Sequence, residues 1–214
     1  MIAVVDYGIG NLRSAEKALH RTGSDAMLVD DPDRVVEADA VVLPGVGHFG
    51  RCAQALRETG LAAAVMDVLD RGVPFLGICV GFQLLFEGSE EDPKATGLGV
   101  FDGVVRALPE SVKRPQIQWN RLVRTDTPAR MFEGLGDEPW LYFVHSYAPE
   151  PTPASYNAVV ATCEYGKTVV SAVERGLTWG TQFHPEKSSR TGIALLANFA
   201  RAVSDRALSG PIAS

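Results

Sequence analysis

The chain has 214 residues, 46% of them hydrophobic and 21% charged, with a formal net charge of −6. This is enough chain to bury a full core, with the balance of an ordinary globular protein rather than a disordered one. The charge has the wrong sign for a phosphate backbone or an anionic lipid surface, so neither nucleic acid nor membrane is expected as a partner.

Met1 to Asp6 is a short apolar run, followed by Tyr7-Gly8-Ile9-Gly10-Asn11 and a helical pattern from Leu12 with Ala15, Ala18 and Leu19 on one face. It lacks a basic leader and reads as a strand and loop, not a signal peptide. Ala26–Val29 is the next strand, closed by Asp30-Asp31-Pro32, and Ala40–Leu43 is a third, ending at Pro44-Gly45. Two helical stretches run from about Phe49 to Arg71. Pro74–Ile78 is a buried-type strand that leads directly into Cys79, and Val80–Glu87 is expected to be helical. The second half is richer in strands: Gly99–Leu108, Gln116–Arg124, Leu141–Val144, Asn157–Tyr165, Thr168–Glu174 and Thr178–Phe183, with a hairpin turn at Gly166-Lys167. Pro149–Pro153 is expected to be a stiff surface loop, Thr191–Arg206 a closing helix, and Ser209–Ser214 a frayed tail. Strands alternating with helices at short Gly/Pro breaks predict a three-layer α/β fold. A flavodoxin-like, mostly parallel sheet carries helices on both faces, with some antiparallel strands in the C-terminal half. No linker or repeat divides the chain, so residues 1–214 are expected to form one domain.

Three cysteines, Cys52, Cys79 and Cys163, are too few and odd in number for a disulfide framework. They point to a reducing compartment, and with no apolar run approaching the roughly 20 residues that span a bilayer, a cytoplasmic location is expected. Cys52 and Cys163 are expected to be small buried hydrophobes. Cys79 differs by its context. Gly77-Ile78-Cys79-Val80-Gly81 joins a predicted strand to a predicted helix, which is the nucleophile-elbow pattern with cysteine at its apex. A helix start there favours a thiolate through its free N–H groups and dipole.

A thiol nucleophile needs a group that takes and returns a proton. Among His20, His48, His145 and His184, the candidate is His184, at the end of a predicted strand where open α/β sheets form their sites. Pro185 stops the strand, and Glu186 is close enough to orient the imidazole. An oxyanion would be met by backbone N–H groups: that of Val80, after the nucleophile, and one from Val46 or Gly47 in the glycine-bearing loop after the third strand. The four histidines show no metal-ligand spacing, and Gly8-Ile9-Gly10 lacks the third glycine of a dinucleotide fingerprint. No metal or other cofactor is expected.

Together these segments resemble the class I glutamine amidotransferases, and within them the glutaminase subunits of imidazole glycerol phosphate synthases. The resemblance is carried by Asp6–Leu12, Pro44–Gly47, Gly77–Gln83, Tyr142–Tyr147 and Gln182–Ser188. It implies hydrolysis of glutamine to glutamate and ammonia through Cys79, His184 and Glu186. It also implies a glutamine pocket of Gly47, Gln83, Glu91, Ser146 and Tyr147. The implied partner, in a heterodimer, is a (β/α)8-barrel cyclase that receives the ammonia through a channel and makes imidazole glycerol phosphate and aminoimidazole carboxamide ribotide in histidine biosynthesis. Asn11, Trp119, Asn120, Tyr142 and Lys187 are the implied interface and channel-mouth residues. Gln116-Ile117-Gln118 departs from the family's residues at that place. The resemblance further implies a nearly silent free subunit, whose Pro44–Gly47 loop turns a carbonyl into the oxyanion hole until the partner is loaded. The residues alone leave open a glutaminase serving another synthase, a stand-alone cysteine hydrolase, and a non-catalytic module of the same fold.

Overall fold

The computed structural model describes residues 1–209. In chain order the elements are β1 (Ile2–Val5), α1 (Leu12–His20), β2 (Ala26–Val29), α2 (Pro32–Val36), β3 (Ala40–Gly45), α3 (Phe49–Glu58), α4 (Leu61–Asp70), β4 (Phe75–Cys79) and α5 (Val80–Gln83). There follow β5 (Phe86–Ser89), β6 (Asp92–Thr96), β7 (Phe101–Ala107), β8 (Gln116–Arg121), β9 (Val123–Arg124), β10 (Trp140–His145), β11 (Tyr147–Pro151), β12 (Val159–Glu164), β13 (Thr168–Arg175), β14 (Thr178–Thr181) and α6 (Ser189–Ser209).

The main sheet has eight strands in the order β2-β1-β3-β4-β14-β13-β12-β9. Its first five strands are mutually parallel, and this stretch has the flavodoxin-like order expected from the sequence. β1, β3 and β4 are buried along their whole length, as strands covered on both faces must be, which is why they read as unbroken apolar runs. α1 packs against α6, and α2 and α3 against α4. The antiparallel part, β14-β13-β12-β9, lies in the C-terminal half. β12 and β13 turn over at Gly166, whose φ of 70° suits a residue without Cβ. A four-stranded sheet, β11-β7-β5-β6, and the antiparallel pair β10-β8 flank this frame.

Several local expectations are corrected. The helix after Cys79 ends at Gln83, and the chain then enters β5 rather than continuing to Glu87. Leu84-Leu85-Phe86 suits either periodicity, and all three side chains are buried. The Pro149–Pro153 stretch is not a surface loop throughout: Pro149, Glu150 and Pro151 belong to β11, paired with β7 at the edge of the smaller sheet, where proline is tolerated. The Gln116–Arg124 run is two strands in different sheets, separated at Leu122. The helix α2, capped by the Asp31 side chain on the Asp33 N–H with Pro32 in its first turn, was not expected. α6 runs to Ser209, and the rest of the expected tail, residues 210–214, lies outside the described residues. Among the described residues no helix is long and apolar enough to cross a membrane.

Candidate active site

The site lies past the C-terminal ends of the parallel strands. Register places Gly45, the last residue of β3, beside Cys79, the last of β4, and Thr181 of β14 beside Ile78. Cys79 has φ 55° and ψ −110°, a conformation costly for a side chain and held here by the glycines around it. A Cβ on Gly81 would stand 1.8 Å from the Leu43 carbonyl oxygen, and one on Gly77 would stand 2.8 Å from the Gly81 carbonyl oxygen. Both positions are therefore sterically closed to any other residue. The elbow is tight because the strand before Cys79 and the turn after it pack backbone against backbone.

Beyond β14, Pro185–Lys187 form one turn of 3-10 helix. The His184 Nδ1 lies 2.8 Å from Glu186 Oε1, with the two side chains 3% and 2% exposed. Asn11 Nδ2 reaches the same oxygen at 3.4 Å, and Glu186 Oε2 is buried without a hydrogen-bond partner among the described residues. Burial disfavours a charged ring at His184. Hydrogen bonds to Cys79 and Glu186, and their charges, outweigh it and hold the pKa up at about 10. The imidazole is thus set between a thiol and a carboxylate, an arrangement that can carry a proton. The Cys79 sulfur faces the Val144 carbonyl and the Gln182 amide, each at 3.8 Å.

A cavity of about 520 Å³ opens over Cys79 and His184. Of the residues singled out from the sequence, Asn11, Val46, Gly47, Val80, Gln83, Glu91, Ser146, Tyr147 and Lys187 also line it. Gly47 has φ 89°, so the loop adopts a turn that favours glycine. Gln83 is buried and spends both amide hydrogens, on the Tyr147 carbonyl at 2.9 Å and on Gln182 Oε1 at 3.0 Å, which leaves its own carbonyl oxygen as the group to offer a ligand. Glu91 accepts the Phe49 N–H at 2.7 Å, capping α3 where His48 supplies no side-chain cap.

Trp119, Asn120 and Tyr142 stand apart from the cavity lining, on the β8–β10 pair. Tyr142 opposes Trp119, with ring centroids 6.0 Å apart. Ile117, Trp119 and Trp140 are 58%, 44% and 56% exposed, and alternation sets them on one face with Tyr142. This is an apolar patch of the kind that marks an interaction surface. Asn120 instead donates to the Glu164 carbonyl at 3.0 Å.

Two neighbours of the site escaped sequence reasoning. Gln182 is fully buried and bridges Gln83 to the Cys79 sulfur. His145 lines the cavity with Nδ1 on the Tyr147 carbonyl at 2.9 Å and Nε2 unpartnered among the described residues. A polar residue at or just past the end of an apolar strand was the available signal for both.

A family model described as "Glutamine amidotransferase class-I" matches residues 3–203. A protein of Moorella thermoacetica named "Imidazole glycerol phosphate synthase subunit HisH" is 44% identical over 202 residues, covering 94% of this chain and 95% of that protein. One of the same name from Symbiobacterium thermophilum is 46% identical over 204 residues, covering 95% of each. A solved structure titled "Crystal structure of glutamine amidotransferase" superposes with a TM-score of 0.72 at 22% identity, covering 95% of this chain and 98% of its own, which is a likeness of fold.

Proposed function

The chain belongs to the class-I glutamine amidotransferases, and from that premise we propose that it is the glutaminase subunit of an imidazole glycerol phosphate synthase, working as a single cytoplasmic domain over residues 1–214. The observation that carries the chemistry is the line Cys79–His184–Glu186 at a 520 Å³ cavity. The choice of synthase is supported by near-full-length relatives, 44–46% identical, that bear that name.

In this reading the Cys79 thiolate attacks the side-chain amide carbon of glutamine. Negative charge collects on the amide oxygen and is met by the N–H groups of Val80 and of the Val46–Gly47 segment. His184, charged at neutral pH, gives its proton to the departing nitrogen, which leaves as ammonia. The neutral imidazole then takes a proton from water, whose oxygen attacks the thioester, releasing glutamate and restoring the thiolate. Glu186 holds the ring in one tautomer and favours its charged form. Gln83, through its free carbonyl oxygen, and Glu91 hold the substrate ammonium; Ser146, Tyr147 and Gly47 hold the rest of the glutamine. Ammonia leaves past Asn11 and Lys187 towards a (β/α)8-barrel cyclase seated on the β8–β10 pair that carries Trp119, Asn120 and Tyr142.

The test is Cys79→Ala in the complex with that cyclase. Glutamine-dependent synthesis should vanish while synthesis from ammonium salts persists. Loss of both in a folded complex would contradict the assignment of Cys79 as the glutaminase nucleophile.

A further inference from the structure

Gln182 takes no part in the reaction above, yet its side chain is fully buried against the Cys79 sulfur. Burying a primary amide is unfavourable unless both of its ends are bonded. Here both ends are bonded, and the chain of contacts fixes which end is which. The Tyr147 carbonyl can only accept. It is held in place by His145 Nδ1, which donates to it at 2.9 Å. The Gln83 amide lies 2.9 Å from the same carbonyl, so that end of Gln83 is its NH2 group. The second hydrogen of that group points to Gln182 at 3.0 Å and requires an acceptor, which makes the facing end of Gln182 its carbonyl oxygen. The Gln182 NH2 group is left to face Cys79 Sγ at 3.8 Å as a donor. Reversing either amide would set two acceptors or two donors against each other at hydrogen-bond distance.

This polarity matters because the attacking sulfur must accept. A thiol can donate to the Val144 carbonyl, also at 3.8 Å. A thiolate has no proton to give and faces that carbonyl lone pair to lone pair. The side chains of His184 and Gln182 are the groups that can donate to it. An N–H bond to an ionised acceptor is stronger than one between neutral groups, and more so away from water. We infer that Gln182 is a further catalytic residue, whose amide donates to the Cys79 sulfur and stabilises it as the attacking thiolate, in an orientation set by Gln83 and the Tyr147 carbonyl. The same bonds leave the Gln83 oxygen free for a ligand, so one relay of amides serves both the nucleophile and the pocket. The inference rests on the amidotransferase reading for its substrate, while the state of the sulfur is a property of the chain itself.

The test compares the full chain, in complex with the cyclase, with two variants. Gln182→Met is close in length and volume but lacks the amide. Gln83→Leu leaves Gln182 in place and removes its anchor. The first readout is the ultraviolet absorbance of the thiolate at neutral pH, taken as the difference from Cys79→Ala. The second is the rate at which iodoacetamide alkylates Cys79, which depends on the thiolate. In Gln182→Met the absorbance should fall by about half or more and alkylation should slow about tenfold, the size expected for one hydrogen bond to a charged group. In Gln83→Leu alkylation should slow about threefold or more, and the double variant should be no slower than Gln182→Met alone, because the two amides act as a unit. Wild-type absorbance and alkylation in a Gln182→Met chain that still binds the cyclase would overturn the inference. So would slowed alkylation at full thiolate absorbance, which reports access rather than charge. If Gln182→Met does not fold, unchanged alkylation in Gln83→Leu overturns the relay by itself. Neither readout needs substrate, so a chain that released no glutamate would contradict the amidotransferase reading and leave this inference to be decided separately by the sulfur.

Discussion

The Tyr142 carbonyl accepts the His184 N–H at 3.0 Å, and the Tyr142 N–H donates at 3.0 Å to Ser188 Oγ, which in turn donates to the His184 carbonyl at 2.6 Å. The strand that carries the exposed aromatic patch is thereby stitched to the backbone of His184. A partner pressing on Trp119 and Tyr142 would be in mechanical contact with the turn that bears His184 and Glu186.

Trp119→Ala should therefore weaken association with the cyclase by tenfold or more, because an aromatic residue at the centre of an apolar patch is the usual energetic anchor. The free chain should keep its melting temperature within a degree or two. A fluorescence or calorimetric titration checks this, and unchanged affinity would remove the β8–β10 face from the interface. Ser188→Ala leaves the Tyr142 N–H unpaired and should cost about 1–3 kcal/mol in urea denaturation, with a larger loss of partner activation than of partner affinity.

Glu186→Gln keeps the shape of the side chain but removes its charge. The His184 pKa should fall from about 10 towards the ordinary histidine range, and kcat should drop by about 10²-fold or more. NMR titration of the ring and steady-state kinetics measure the two effects. A variant with wild-type turnover would remove Glu186 from the proton path.

Gly81→Ala tests the elbow. Its Cβ would meet the Leu43 carbonyl oxygen at 1.8 Å, inside a backbone contact that has no flexible side chain to yield. The cost should be about 3 kcal/mol or more, seen as a lowered denaturation midpoint, with activity lost. A stable, active variant would show that the turn is not closed at this position.

His145 gives a pH signature independent of catalysis. Burial pushes its pKa down to about 4; its bond to the Tyr147 carbonyl opposes this, and the charge of His184 adds to it. In the unfolded chain histidine titrates near 6.5. Between about pH 6.5 and 4 the unfolded state therefore binds more protons, and this contribution, complete above 6.5, is lost as pH falls through that window. Denaturation at pH 7 and pH 4.5 should show an acid loss on the order of 2 kcal/mol larger in the wild type than in His145→Gln. Equal acid losses would show that His145 is not held neutral.

The parallel strands and the elbow were legible because they leave a plain mark on the sequence. β1, β3 and β4 are buried on both faces and so read as continuous apolar runs, and the elbow shows as two glycines: Gly77, closed by the Gly81–Phe82 backbone just after it, and Gly81, closed by the Leu43 carbonyl of the neighbouring strand. β6 and β11 were not legible. Asp92-Pro93-Lys94-Ala95-Thr96 and Tyr147–Pro151 are edge strands carrying proline, and their pairing is set by β5 and β7 rather than by their own patterning. Within the site, His184 and Glu186 are two residues apart and announced each other. Gln182 acts on Gln83 across 99 residues, so no spacing announces it, and its polarity at the end of an apolar run is the one mark it leaves.

The central claim is tested most directly by glutamate release from glutamine, measured on the purified chain alone and then with the barrel cyclase and its nucleotide ligand. The account predicts near-silence from the chain alone and strong activation by the loaded partner. Full activity without a partner, or none with it, would contradict it.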